Sequence, residues 1–225
     1  AREPHCGCPG SLTPVLNWGQ KQPAPDAGVG APPAPDFTIA SSLVFPKFLS
    51  VVGRREHPVL LDLGPVIGSN VQFLTERLTC KLHIEDLFQE IEAAARARVR
   101  QGLEAALFKR LGQGPESVDG ILCWDVFDFL DRTAGVALAS HLETLLRKGG
   151  ALYGFFGTTA VDLDHYTRYT IKREDRFELR PVPATPVKRR VLVTREINMM
   201  FEGLMSADSV LLKSGTRETL FRRPA

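Results

Sequence analysis

The sequence predicts a doubly wound α/β domain, a mostly parallel Rossmann-like sheet closed by a terminal antiparallel hairpin. Three observations predict it. Short apolar runs alternate with amphipathic segments along most of the chain. A glycine-bearing turn, Asp62-Leu63-Gly64-Pro65-Val66-Ile67-Gly68-Ser69-Asn70, joins the first such run to the first amphipathic segment. Near the end, two strand-like runs flank Ser214-Gly215-Thr216, a turn-forming triplet.

Bulk properties agree with one globular domain: 225 residues, 44% hydrophobic and 24% charged. The segment from Ala1 to Asp36 is crowded with Pro, Gly and Ala and cannot bury enough surface to offset its ordering entropy. It reads as a disordered leader before a folded domain at 37–225. No apolar run approaches the roughly 18 to 20 residues that cross a bilayer, and the first residues lack a secretory core. The expectation is a cytoplasmic protein without a membrane partner. Four cysteines do not make a disulfide framework; His5-Cys6-Gly7-Cys8 is half a metal site without a second half, so no metal is expected. From Tyr166 onward there are 13 Lys/Arg against 7 Asp/Glu. Solvated strands with alternating charges explain this basic part, which would also suit an anionic substrate.

The elements follow in order. Ile39, Leu43, Val44, Phe48, Leu49 and Val52 fall near helical spacing, with Pro46 as a break or kink. Val59 to Leu63 is almost wholly apolar, as a strand buried on both faces requires. Asn70 to Leu78 has a helical pattern, and Lys81 to Ile84 resumes as a strand ending at Glu85-Asp86. Leu87 to Leu111 is rich in helix formers and interrupted by Gly102. Gly120 to Trp124 is the next buried strand, Arg132 to Arg147 an amphipathic helix stopped by Gly149-Gly150, and Ala151 to Phe156 a further strand. Beyond it, Tyr169–Arg173 and Phe177–Val182 read as a hairpin around Glu174-Asp175, followed by a proline-marked link, 181–186. Thr194 caps a short helix to about Glu202, and Val210–Lys213 with Glu218–Arg222 form the closing hairpin.

Gly64 and Gly68 let a ligand approach the backbone at the carboxyl end of a parallel strand, where the next helix presents free N–H groups. Asp62 precedes the first glycine by two residues and could take the ammonium of an amino-acid-bearing ligand; a pyrophosphate would want no carboxylate there. The turn also lacks the G-x-G-x-x-G of dinucleotide sites. Glu85 and Asp86, about two dozen residues later at the next strand end, can accept ribose hydroxyls. An exposed acid at a helix start is the other reading of Asp86.

Together these residues resemble the class I S-adenosylmethionine-dependent methyltransferase superfamily over roughly Phe37 to Arg223. Val59 to Asn70 is similar to its cofactor loop, Asp119 to Phe127 to its fourth strand and the acid that follows, Leu145 to Leu152 to its helix, glycine turn and fifth strand, and the Val210 to Arg222 region to its reversed last strand pair. The resemblance implies S-adenosyl-L-methionine as cofactor, held by Asp62, Gly64, Pro65, Gly68, Asn70, Glu85, Asp86 and Asp125, and methyl transfer to a small-molecule acceptor. Trp124 and Phe127 are core residues or an apolar wall. His165 and Tyr166, with Tyr169, are the nearest proton acceptors or substrate contacts, and an insert at about 158–190 would lid the crevice. No Asn-Pro-Pro-Tyr-type element follows the fourth strand, which argues against nucleic-acid amino methylation. Two departures stand out. Val66 occupies a position where the family usually has glycine, and helix-forming sequence stands where the family has its third strand, which leaves the adenine contact unassigned. Val66 keeps a second reading open, a catalytically degenerate binding or interaction domain.

Overall fold

Alternation of apolar side chains along each strand determines how the layers form. The computed structural model describes residues 37–99, 101–189 and 191–225; the leader and its Cys6 and Cys8 lie outside the described residues. The elements are β1 (Thr38–Ser41), α1 (Phe45–Val52), β2 (Val59–Asp62), α2 (Gly68–Leu78), β3 (Lys81–Ile84), α3 (Phe88–Ala97), α4 (Leu103–Arg110), β4 (Val118–Trp124), a 3-10 turn (Val126–Phe129), α5 (Arg132–Leu145), β5 (Leu146–Gly157), β6 (Asp162–Arg173), β7 (Arg176–Lys188), α6 (Thr194–Met200), β8 (Met205–Leu211) and β9 (Thr216–Arg222). Six strands form the main sheet in the order β3-β2-β4-β5-β9-β8. β3, β2, β4 and β5 run parallel, and β9 is antiparallel to β5 and β8. This is the doubly wound, mostly parallel sheet with a terminal antiparallel hairpin that the sequence predicts. The chain begins this sheet at β2, moves outward to β3 and returns across β2 to β4, so the order reverses between β2 and β4, where open α/β sheets bind ligands.

Successive strand residues point into different cores. Leu61, Ile121, Cys123, Leu152 and Phe221 face the core under α3, α4, α5 and α6. Leu60, Leu122, Trp124, Tyr153 and Leu220 face the other, under α1 and α2, joined there by Tyr169, Ile171 and Phe177 of β6 and β7. Each such fully buried side chain stabilises the fold by about 1.5–3 kcal/mol. β1, β7 and β6 form a separate antiparallel sheet. Glu218 of β9 is buried behind α1, where the Ser42 and Tyr153 hydroxyls donate to it.

Several boundaries differ from the sequence reading. Residues 38–41 pair as a strand with β7, so the helix starts only at Phe45, and Pro46 opens it instead of breaking it. In a first turn the missing N–H is no loss, and the Ser42 hydroxyl accepts the Phe45 N–H at 2.8 Å. α5 ends at Leu145 because Leu146 already pairs with Val118; Gly149, at φ +75°, lies in a bulge within β5 and stops no helix. The proline-marked link is strand: Pro181 and Pro183 sit in β7 opposite Thr167 and His165. β1 pairs only with Arg176 to Leu179, so the prolines fall where β7 has an open edge and needs no donor. Thr194 is the first residue of α6 and does not cap it; the Glu196 carboxylate accepts the Val193 N–H at 3.4 Å. Between β3 and β4 the described residues form α3 and α4, as the helix-forming sequence there predicts. Among the described residues, no helix is long and apolar enough to cross a membrane, and no three His, Cys, Asp or Glu side chains are grouped to hold a metal ion.

Candidate functional site

The carboxyl ends of three parallel strands converge on the glycine turn. The Leu63 N–H bonds the Leu122 carbonyl at 2.9 Å and the Glu85 N–H bonds the Asp62 carbonyl at 2.8 Å, which places Asp62 between the ends of β3 and β4. The Asp62 carboxylate is buried, 3% exposed. Its Oδ1 accepts the Gly64 N–H at 2.9 Å and the Trp124 indole N–H at 2.6 Å. Burial pushes its pKa up to about 6, against these two donors, with a smaller upward push from Asp86.

Gly64 fits this turn because of the indole. A Cβ there would come within 2.7 Å of Trp124 Cδ1 and 2.8 Å of Nε1. A Cβ on Gly68 would meet nothing within 4 Å, and Val66 stands in solvent. The indole thus fills the space that sequence reasoning reserved for a ligand. It is held there by its hydrogen bond to Asp62 and by ring contacts, against a strained backbone. Trp124 has φ +49°, rare for a bulky residue and costing about 1–3 kcal/mol. Its ring stacks on Tyr169 (centroids 5.2 Å apart, 13° between planes), and Tyr169 stacks on Phe155 (4.8 Å, 8°). Such contacts contribute about 0.5–1.5 kcal/mol each beyond area burial.

Asn70 is buried at the start of α2 and turned to β6: its amide donates to the Tyr169 carbonyl at 2.8 Å and its carbonyl accepts the Ile171 N–H at 2.8 Å. Asp125 is also buried under β6. Burial, then the neighbouring Asp128, pushes its pKa up to about 7, while its own amide and the Thr167 amide and hydroxyl act in the opposite direction. Asp128 accepts the Gly157 N–H at 2.7 Å and pairs with Arg189 at 3.0 Å; burial outweighs the arginine and its pKa rises to about 6.

The two acids after β3 differ. Glu85 Oε1 accepts from Gln113 at 3.1 Å. Asp86 Oδ2 accepts from Gln89 at 3.0 Å, while its Oδ1 is buried without a partner and the residue lines a cavity of about 370 Å³ with Phe88, Glu92 and Tyr166. Tyr166 stacks on Phe88 (4.8 Å, 17°), and burial and the charges of Asp86 and Glu92 raise its pKa. The structure therefore brings Asp62, Gly64 and Trp124 together, and Asp86 together with Tyr166. His165 joins neither group: its Nδ1 lies 2.6 Å from Asp164 Oδ1 on the exposed side of β6, beside Pro181 and Pro183. Pro65 is half-buried. Phe127 is core, against Phe156 and Phe201. Sequence reasoning missed the indole on Asp62 and the clamp from Asn70 to β6. Neither has a local signal, because the residues involved are separated by 62 and by 99 to 101 positions.

No protein-family model matches the chain, and no curated protein matches its sequence. Solved structures with matching chains include a 1,6-didemethyltoxoflavin-N1-methyltransferase from Burkholderia thailandensis with bound 1,6-didemethyltoxoflavin and S-adenosylhomocysteine: 15% identity, 82% of this chain and 80% of that one, TM-score 0.46. The CcbJ methyltransferase from Streptomyces caelestis is 15% identical over 81% of this chain and 90% of its own, TM-score 0.47. An S-adenosylmethionine-dependent methyltransferase from Clostridium acetobutylicum is 14% identical over 80% and 92%, TM-score 0.44.

Proposed function

We propose that the chain transfers a methyl group from S-adenosylmethionine to a small-molecule acceptor, with Asp62 receiving the ammonium of the cofactor. The observation that carries this reading is the Asp62 carboxylate, buried where the strand order reverses and already accepting a N–H donor from a distant side chain. A ligand ammonium is a donor of the same kind and carries a full charge, which strengthens the bond. The donor set therefore fits the cofactor, whereas the room is taken until Trp124 leaves Asp62. Asp86 supports the same reading: its partnerless Oδ1 suits a ribose hydroxyl, and Glu85 is engaged elsewhere.

S-adenosylmethionine, when bound, supplies an electrophilic methyl group for direct displacement, so the protein's task is to bind, orient and exclude water. Asp125, which follows β4 and whose pKa burial pushes up to about 7, can hold or release a proton near neutrality. Tyr166 keeps its proton and orients. The β6–β7 hairpin, pinned to α2 by Asn70, acts as the lid.

A second reading is favoured by one observation, the indole in the ligand's place: a domain of this fold that has given up the cofactor and serves as an interaction module. Calorimetry with S-adenosylmethionine and S-adenosylhomocysteine decides between them. Displacing an indole hydrogen bond and a ring stack costs about 1–3 kcal/mol. Trp124→Gly, which suits a positive φ, should therefore bind roughly tenfold or more tightly than the wild type. Heat from neither protein at millimolar ligand, with the variant shown folded by its melting curve, leaves only the second reading.

A further inference from the structure

We propose that a second cavity binds a small amphipathic carboxylate. The cavity, about 550 Å³, is bounded by α3, the start of α4, the segment after the 3-10 turn and the end of β7, and it shares no lining residue with the glycine turn. That volume is in the range of sites for single small molecules. Ile91, Leu103 and Phe129 contribute apolar surface, and Arg98, Arg132 and Lys188 surround it. Among the described residues, none of these three cations has an ion-pair or side-chain hydrogen-bond partner, in a molecule where most surface arginines have one. One carboxylate, Asp131, lines the same cavity, and it already accepts the Ala134 N–H at 3.0 Å as the cap of α5.

Three like charges gathered around a concave apolar surface repel one another and raise the local concentration of anions. A carboxylate answers the charge, with the arginine fork able to hold both oxygens, and a hydrocarbon or aromatic body covers the apolar wall. A cation is repelled at the rim, and a neutral apolar molecule leaves the charges unanswered. The occupant is therefore an amphipathic carboxylate that enters singly. This binding does not rest on the proposed methyl transfer.

The test is calorimetric titration of the full chain, without any sulfur cofactor, with decanoate, decanol and decyltrimethylammonium, each below its micellar concentration. Decanoate is expected to bind saturably, decanol at least tenfold more weakly and the cation not at all. The double variant Arg98→Glu/Lys188→Glu, at two exposed positions, should lose tenfold or more in decanoate affinity while its melting temperature stays within a few degrees of the wild type. Absence of saturable decanoate binding, equal binding of decanoate and the cation, or an unchanged affinity in the double variant overturns the proposal. Binding to phosphatidylglycerol vesicles without decanoate binding overturns it too, by assigning the cations to a lipid surface. Since no sulfur compound is present, these outcomes are separate from success or failure at Asp62.

Discussion

Trp124 combines a disfavoured backbone angle with a buried hydrogen bond and a three-ring stack, so its local conformation is a balance of opposing contributions of about 1–3 kcal/mol each. Gly64 is the residue on which that balance depends. Gly64→Ala places a methyl within 2.8 Å of the indole at two atoms and should push it off Asp62. The expected outcome is a loss of about 1–3 kcal/mol in urea unfolding together with a changed tryptophan fluorescence spectrum. A variant as stable as the wild type with an unchanged spectrum would show that the indole does not sit against the turn. The sequence identified Asp62 and Gly64 as a pair correctly placed at a strand end. It could not identify the group that Gly64 makes room for, since that depends on how two strands 60 residues apart lie side by side.

Among the elements, β6 is tied to α2 by polar contacts in addition to its apolar ones. Asn70 satisfies a carbonyl and an N–H of β6 with one side chain. Asn70→Ala leaves both groups buried and unpaired, which should cost about 2–4 kcal/mol and speed hydrogen exchange at Ile171 above that of the parallel strands. Exchange at Ile171 as slow as in β4 would refute this clamp. β2, β4 and the second half of β5 were legible from composition because they are buried on both faces and read as largely apolar runs. β6 and β7 were legible only near their turn. Their outer lengths carry charges and prolines, and whether Pro181 lies in a strand or a loop depends on how far β1 extends along β7. The Gly149-Gly150 signal misled for a related reason: glycines stop helices and also permit bulges, and the pairing of Leu146 with Val118 decided between them.

For the molecule as a whole, three buried carboxylates set the dependence of stability on pH. Asp62, Asp125 and Asp128 are raised from 3.8 to about 6, about 7 and about 6. The folded state therefore binds protons that the unfolded chain releases near pH 4. Their contribution to stability is complete below about pH 4 and is lost as pH rises through 6 to 7. A shift of two to three units corresponds to about 3–4 kcal/mol for a group alone, and Asp125 and Asp128 titrate as a pair, so the sum is smaller. The melting temperature should rise by several degrees from pH 8 to pH 5.5, and Asp125→Asn should flatten that slope; a wild-type melting temperature that falls over this interval contradicts it. The class of the sheet, mostly parallel with a closing antiparallel hairpin, was legible at this scale from the succession of strands and helices, whereas the order of its strands and the separate β1-β7-β6 sheet were not: β1 is only four residues long and its partner lies far along the chain. That pairing, Thr38 with Leu179, also has a consequence for biosynthesis. At about 5–20 residues per second, β1 leaves the ribosome roughly 7–30 s before its partner strand exists. A strand that must wait unpaired is a risk in proportion to its apolar surface. Thr-Ile-Ala-Ser, short, half polar and exposed at three of four positions even after folding, is a segment that can wait without recruiting the wrong neighbour.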